Sequence, residues 1–127
     1  MSTVLSFLAP PPGFEPSVDF DLSEVPGAAG LYSLQSTGPD ARRLFVLDAG
    51  VYLPDYSPEI TDEQSTELAL ITSEDARVLV VANPADDGMT VNLMAPIVVN
   101  ILTNRCAQVI LDGQNWPLRA ALVAPAA

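Results

Sequence analysis

Hydrophobic residues fall in short runs along the chain, and turn-forming residues separate these runs. Each run is rich in Val, Ile, Leu or Phe, and clusters of Pro, Gly, Asn and Asp lie between the runs. This pattern is typical of β-strands joined by tight turns. It predicts strands over residues 43–48, 77–82, 90–94, 97–102 and 108–111.

Prolines mark positions where a strand cannot continue. Most of the 12 prolines lie between the runs, where no ladder N–H is needed. Pro96 is the exception, because it lies inside the apolar stretch 91–102. That stretch is either two strands joined by a bend or one edge strand broken at a bulge, and we favour the bend.

One helix is predicted after residue 60. Thr61 is followed three residues later by Gln64, which is the spacing of a capping box, and Asp62 and Glu63 place negative charge at the helix N-terminus. We expect a helix of about two or three turns that ends before residues 71–73 and depends on packing against the sheet.

The strand spacing defines the expected fold class. Strands at short intervals with one capped helix favour a mostly β fold, a small antiparallel β-barrel-like domain with one short helix, over any doubly wound fold. We expect one domain over residues 1–123. Residues 108–111 and 116–119 are predicted to form a hairpin over the turn 112–115, and the tail 124–127 is expected to fray.

The charge balance narrows the function classes. The 127 residues include 16 Asp and Glu, 5 Lys and Arg and no His, which gives a net charge of −11 and a pI near 4.1. We therefore expect no direct nucleic-acid binding and a monomer in the free state. Without histidine, catalytic triads and zinc sites that depend on it are excluded.

The single cysteine and the N-terminus bear on the compartment. Cys106 is the only cysteine, so an intramolecular disulfide is impossible, and we expect a small buried hydrophobic side chain there. The apolar stretch 4–9 is too short for a secretory signal or a membrane span. These features predict a cytoplasmic protein without a membrane segment.

The acidic residues are concentrated in one part of the chain. All but one of them precede residue 88, and segment 55–75 carries seven without a single cation. Such a segment is either a solvated face or a surface for a basic partner, and the sequence leaves both open.

Catalysis and cofactor binding find little support. The carboxylates of segment 55–63 do not have the spacing of a calcium loop, because Pro58 and the predicted helix interrupt it, and no glycine-rich loop has phosphate-binding spacing. We expect no metal, no cofactor and no enzyme. The alternative, a small carboxylate-based hydrolase, requires a pocket that holds two convergent acids.

Segment 53–60 is the first candidate for partner contact. Two prolines stiffen it, and it carries Asp55, Tyr56 and Glu59, so it has the features of a rigid recognition surface. The alternative is a plain connector with Tyr56 packed inward.

Asn92 and Asn100 are secondary candidates at the two ends of an apolar strip. If either side chain is buried, its amide needs backbone partners. If the strip is exposed, it is a docking patch.

Six sequence pieces, taken in order, resemble the family of the flagellar assembly factor FliW. The similarity spans about residues 12–119, and its strongest part is the string at 90–100 followed by the run at 108–111. The pieces are PGFE (12–15), LQS (34–36), LFVLD (44–48), PDY (54–56) ahead of Glu59, TVNLMAPIVVN (90–100) and QVIL (108–111).

The resemblance implies a cytoplasmic, β-barrel-like protein without catalysis and with two partners. These are flagellin and the RNA-binding carbon storage regulator CsrA. In that family, the protein is released as flagellin is exported, then binds CsrA and relieves repression of flagellin translation. The alternative is a divergent binding module that has lost one partner.

The N-terminus departs from the family pattern. Family members begin with an additional strand before the PGFE region, and this chain has only residues 1–11 there. The sequence therefore leaves open whether that strand is present.

Overall fold

The structure is a computed structural model, and it describes residues 2–10, 14–15, 17–27, 30–36, 43–53, 56, 58–72, 75–85, 88–111, 116 and 120–122. The strands are β1 (Ser2–Phe7), β2 (Asp19–Glu24), β3 (Leu31–Ser36), β4 (Arg43–Asp48), β5 (Ala76–Ala85), β6 (Gly88–Val91), β7 (Ile97–Asn100), β8 (Arg105–Gln108) and β9 (Ala120–Leu122). The helices are α1 (Ala49–Tyr52) and α2 (Asp62–Glu67). None of the described helices has the length and apolarity needed to cross a membrane.

Seven strands form a closed barrel. They pair in the order β4-β3-β2-β1-β8-β7-β5, and β5 pairs back with β4. Among the described strands every pairing is antiparallel except that of β1 with β8. Strands β6 and β9 extend the sheet from β5 outside the ring. The predicted fold class is confirmed, with two short helices where the sequence predicts one.

The barrel interior is filled by alternate residues of its strands. Phe20, at the centre of this core, receives the rings of Phe7 and Phe14 edge-on, with centroids 5.0 and 5.6 Å away. Cys106 is fully buried in the same core, as expected for a small apolar side chain.

Strands β4, β5 and β7 are apolar on their outer faces as well. Leu47 and Val80 belong to one outer cluster, and Val98 belongs to another. The chain between β4 and β5 covers both clusters, since Leu53 packs on the first and Leu68 on the second. The long connection is therefore an outer layer of the core.

Pro96 lies in a bend between two strands, as favoured from the sequence. Val91 of β6 pairs with Ala82, and Ile97 of β7 pairs with Leu79, on the same edge of β5. Only two residues of β5 separate these paired positions, whereas five residues, 92–96, connect the two strands. Residues 92–96 therefore form a loop. The two strands are shorter than the predicted runs 90–94 and 97–102.

Strands β2 and β3 were not predicted because only every second residue is buried. In β2 the buried residues are Phe20 and Leu22, and in β3 they are Leu34 and Ser36. The polar residues between them lie on the solvated outside of the barrel. A search for apolar runs detects strands that are buried on both faces and misses these.

The N-terminal strand left open by the sequence is present. β1 pairs with β2 on one side and with β8 on the other. It therefore supplies the contact that closes this part of the ring.

The C-terminal prediction is corrected in part. The run expected at 108–111 forms its strand earlier, over Arg105–Gln108, and residues 109–111 follow as extended chain hydrogen-bonded to the carbonyls of Pro96 and Met94. The predicted turn 112–115, most of the returning strand 116–119 and the tail 124–127 lie outside the described residues. β9 pairs with β6.

The predicted capping box is confirmed. The Thr61 hydroxyl accepts a hydrogen bond from the Gln64 backbone N–H at 3.1 Å, and the Gln64 side chain accepts one from the Thr61 N–H at 2.9 Å. Helix α2 has six residues, shorter than predicted. It ends because Ala69 adopts a left-handed conformation with φ of 55°.

We expect Thr61→Ala to lower the free energy of unfolding by about 1 kcal/mol, because it removes the cap of a short helix. Thr66→Ala is the matched control, since the Thr66 hydroxyl only donates to the Asp62 carbonyl within the exposed helix. Urea unfolding followed by circular dichroism measures both. Equal stability of the two variants would show that the cap contributes nothing.

Candidate functional site

Three polar side chains form a hydrogen-bonded network at the end of the barrel from which the candidate segment departs. The Asp48 carboxylate caps α1 by accepting from the Gly50 N–H at 2.9 Å, and its other oxygen accepts from Arg77 Nε at 3.1 Å. Arg77 Nη2 also donates to the Tyr32 hydroxyl at 2.5 Å, and its guanidinium lies 4.7 Å from the centre of the Tyr32 ring. The Arg77 guanidinium thus has three contacts, one with Asp48 and two with Tyr32.

This Tyr32–Asp48–Arg77 network lies at one end of the barrel, on the same strand faces as the inner core residues. Each of the three residues lies two positions from an inward-facing core residue of its own strand. Sequence reasoning missed the network, although a signal was present. Arg77 lies two positions before Leu79 in β5, so the two residues lie on the same, inner face of the strand.

Tyr56 packs inward and connects the two outer clusters. Its hydroxyl donates to the Leu93 carbonyl, and its ring meets the Trp116 ring edge-on with centroids 4.7 Å apart. Burial raises the pKa of Tyr56 to about 12. Its position matches the alternative of a connector anchored by Tyr56, and a partner contact by this side chain stays a prediction.

The two acidic candidates of the segment differ in what the structure describes. Glu59 is exposed, between Pro58 and Ile60, which both line surface clefts. Asp55 lies outside the described residues. A joint contact surface of Asp55, Tyr56 and Glu59 therefore stays a prediction.

Asn92 organises the bend at Pro96. Its side-chain oxygen accepts from the backbone N–H groups of Met94 and Ala95, at 3.0 and 3.2 Å. Its own N–H donates to the Val81 carbonyl. The Asn92 side chain thus provides a hydrogen-bond acceptor for the backbone N–H groups of the bend.

Asn100 is 1 % exposed and joins two connections of the chain. Its Nδ2 donates to the carbonyls of Leu68 and Ala69, at 2.8 and 3.3 Å, and its Oδ1 accepts from the Leu102 N–H at 2.9 Å. Because Ala69 has a left-handed backbone that favours glycine, these bonds hold an unfavourable turn in place. The need for backbone partners, expected for a buried Asn, is met.

Two clefts open beside the segment, with volumes of about 580 and 670 Å³. Among their lining residues each has one carboxylate, Asp48 in the first and Asp62 in the second. The described lining residues of either cleft therefore include no second carboxylate for the convergent pair that a carboxylate hydrolase needs. Within the described part of the chain, no three His, Cys, Asp or Glu residues are grouped so as to hold a metal ion.

A family model described as FliW protein matches residues 1–122. The chain belongs to the FliW family. Among its relatives, the flagellar assembly factor FliW of Clostridium kluyveri is 32% identical over 113 residues, which cover 87% of this chain and 78% of that protein. The flagellar assembly factor FliW of Syntrophus aciditrophicus is 29% identical over 109 residues, covering 84% and 69%.

A solved FliW structure has the same fold. The crystal structure of the flagellar assembly factor FliW superposes with a TM-score of 0.86 and 27% identity, covering 96% of this chain and 86% of that one. The resemblance to FliW found in the sequence is confirmed, and so is the barrel it implies.

We expect Asn100→Ala to lower the free energy of unfolding by about 2–3 kcal/mol, because it leaves buried backbone groups without partners. Asn92→Ala, which removes a partly buried side chain, should cost about 1 kcal/mol. Urea unfolding measures both. A cost for Asn100→Ala no larger than that for Asn92→Ala would contradict the role assigned to Asn100.

Stability should fall as the pH rises from about 9 to about 12. Burial raises the pKa of the Cys106 thiol from 9.0 to about 12 and that of Tyr56 from 10.0 to about 12, so the folded state holds both protons more tightly than the unfolded chain. Tyr56→Phe should flatten the decline between pH 10 and 12. Cys106→Ala should remove the part of the decline in stability that begins near pH 9. Urea unfolding across this range measures the slopes, and a wild-type slope in Tyr56→Phe above pH 10 would refute the assignment.

Proposed function

We propose that the protein is a flagellar assembly factor that binds flagellin and antagonises the translational regulator CsrA, coupling flagellin synthesis to export. The observation that carries this proposal is the FliW match over residues 1–122, together with the preserved barrel. The proposed protein is non-enzymatic, cytoplasmic and monomeric when free, and it takes no cofactor.

The charge distribution supports a cationic partner. An RNA-binding regulator exposes a positive surface, and a protein with a net charge of −11 is attracted to it over long range. Such attraction raises the rate of association and leaves open whether the RNA-binding surface itself is covered. Both direct competition and inhibition from another face are consistent with it.

The acidic segment supplies the proposed contacts. Glu59 is exposed, and Asp55 belongs to the same short segment. Tyr56 contributes by fixing the segment to the barrel through Leu93 and Trp116. In this arrangement Asn92 and Asn100 act on neighbouring backbone, so their effect on binding is indirect.

Titration calorimetry of the protein against its cognate flagellin, and separately against its cognate CsrA, tests the proposal. Each titration is run at low and at moderate salt. Micromolar or tighter binding to both partners supports the proposal, and a competition experiment then follows. Binding to one partner alone identifies a divergent module that has lost the other, and no binding to either, with folded partners, overturns the proposal.

Replacing Asp55 and Glu59 with Arg should weaken CsrA binding about five- to tenfold at low salt and reduce its salt dependence. The control is Asp21→Arg with Glu24→Arg, which makes the same charge change on β2, a strand that is not adjacent to β4 in the sheet. Unchanged affinity in the first variant, or an equal loss in the control, would remove the segment from the interface.

A further inference from the structure

An apolar groove runs along the outer face of the first half of β5. The two clefts beside the candidate segment share Pro58, Ala76 and Val78, so they form one continuous depression. Its floor is β5. One wall is the chain after α1, and the other is α2 with the residues that follow it.

The rim of this groove carries exposed apolar side chains. Ile71 is 83% exposed and Ile101 is 50% exposed, and both line the groove. Ile71 and Ile101, two of the seven large apolar side chains exposed in the described part of the chain, thus line the same groove.

Negative charge lies beside the groove. Asp62 lines it, and Glu59 lies in the chain between the lining residues Pro58 and Ile60. The cation among the lining residues, Arg77, is paired with Asp48. An incoming group therefore meets apolar surface bordered by carboxylates.

We propose that this groove is the docking site for a protein segment with apolar side chains flanked by Lys or Arg. The apolar side chains lie over Ala76 and Val78 between Ile71 and Ile101, and a cationic flank faces Asp62. A second copy of this chain fits poorly, because each copy carries a net charge of −11. That the segment belongs to a flagellar partner rests on the proposed function.

The groove is held in shape before anything binds. Asn100 connects the chain after α2 to the turn after β7, since Nδ2 bonds the carbonyls of Leu68 and Ala69 ahead of Ile71, and Oδ1 bonds the N–H of Leu102 beside Ile101. Tyr56 fixes the wall formed by the chain after α1 through the Leu93 carbonyl. A preformed groove lowers the entropy that a partner must lose on binding.

The first test uses a synthetic peptide of Leu and Lys with an apolar centre and cationic ends, and a scrambled peptide of the same composition. The variant is Ile71→Ser with Ile101→Ser. The control is Val4→Ser with Ile110→Ser, which removes apolar side chains that are 52% and 51% exposed and lie away from the groove. Thermal melts verify folding, and titration with NMR detection of backbone amides gives affinity and location.

The wild-type protein should bind the ordered peptide with shifts centred on the start of β5 and residues 70–72 and 101–102. The groove variant should bind about tenfold more weakly, and the control should bind as the wild type does. Equal binding by the groove variant, equal binding of the scrambled peptide, or shifts centred on β1 and β2 would overturn the proposal.

A charge variant separates binding from folding. Asp62→Asn removes the carboxylate of α2 that lines the groove, and the control Glu63→Gln removes its neighbour in the same helix turn, which is not among the lining residues. Both variants lose a similar interaction with the helix dipole, so they should fold alike. Peptide binding should weaken severalfold at low salt in Asp62→Asn, and the difference should shrink at high salt. An equal effect of the two variants would count against the groove.

Titrating the same variants against flagellin and CsrA distinguishes this inference from the proposed function. If the wild type binds a partner and the groove variant binds it equally well, the groove proposal fails and the function stands. If the wild type binds neither partner while the peptide occupies the groove, the function fails and the groove stands.

Discussion

Closure of the barrel between β4 and β5 is the constraint on which the rest of the structure depends. A closed ring needs apolar side chains on its inside, and here β4, β5 and β7 are apolar on the outside too, as Leu47, Val80 and Val98 show. These outer apolar faces stabilise the fold only when another part of the chain packs on them and excludes water. The connection from α1 to α2 provides the cover, and this explains why so long a link between two neighbouring strands is retained.

This connection also determines which surface is available for binding. Its apolar residues, such as Leu53 and Leu68, pack against the barrel, and its carboxylates, such as Glu59 and Glu67, are exposed. Where the cover is incomplete, the floor of the groove at Ala76 and Val78 remains open. Acidic charge and apolar surface therefore occur together because the connection between β4 and β5 both covers the core and carries seven of the 16 acidic residues.

The sequence predicted the parts of the fold whose signals are local. Runs such as 43–48 and 77–82 gave strands, and Thr61 gave the helix cap, because double-sided burial and capping leave contiguous patterns. β2 and β3 were missed, since their solvated outer faces interrupt the apolar run. The Tyr32–Asp48–Arg77 network was missed as well, because its members come from three strands. The sequence named Tyr56 and Asn100 as candidates for partner contact, which stays a prediction, and the three-dimensional contacts show that both side chains bond to distant backbone groups.

Those roles change how binding data on this family member are to be interpreted. Tyr56 and Asn100 hold surface segments in place through hydrogen bonds to distant backbone groups, so their removal deforms that surface even if no partner touches them. A loss of affinity at these positions is therefore no evidence of contact unless stability is measured beside it. Exposed apolar positions such as Ile71 carry less of this ambiguity, because side chains in water contribute little to folding. Contact with a partner is best judged there.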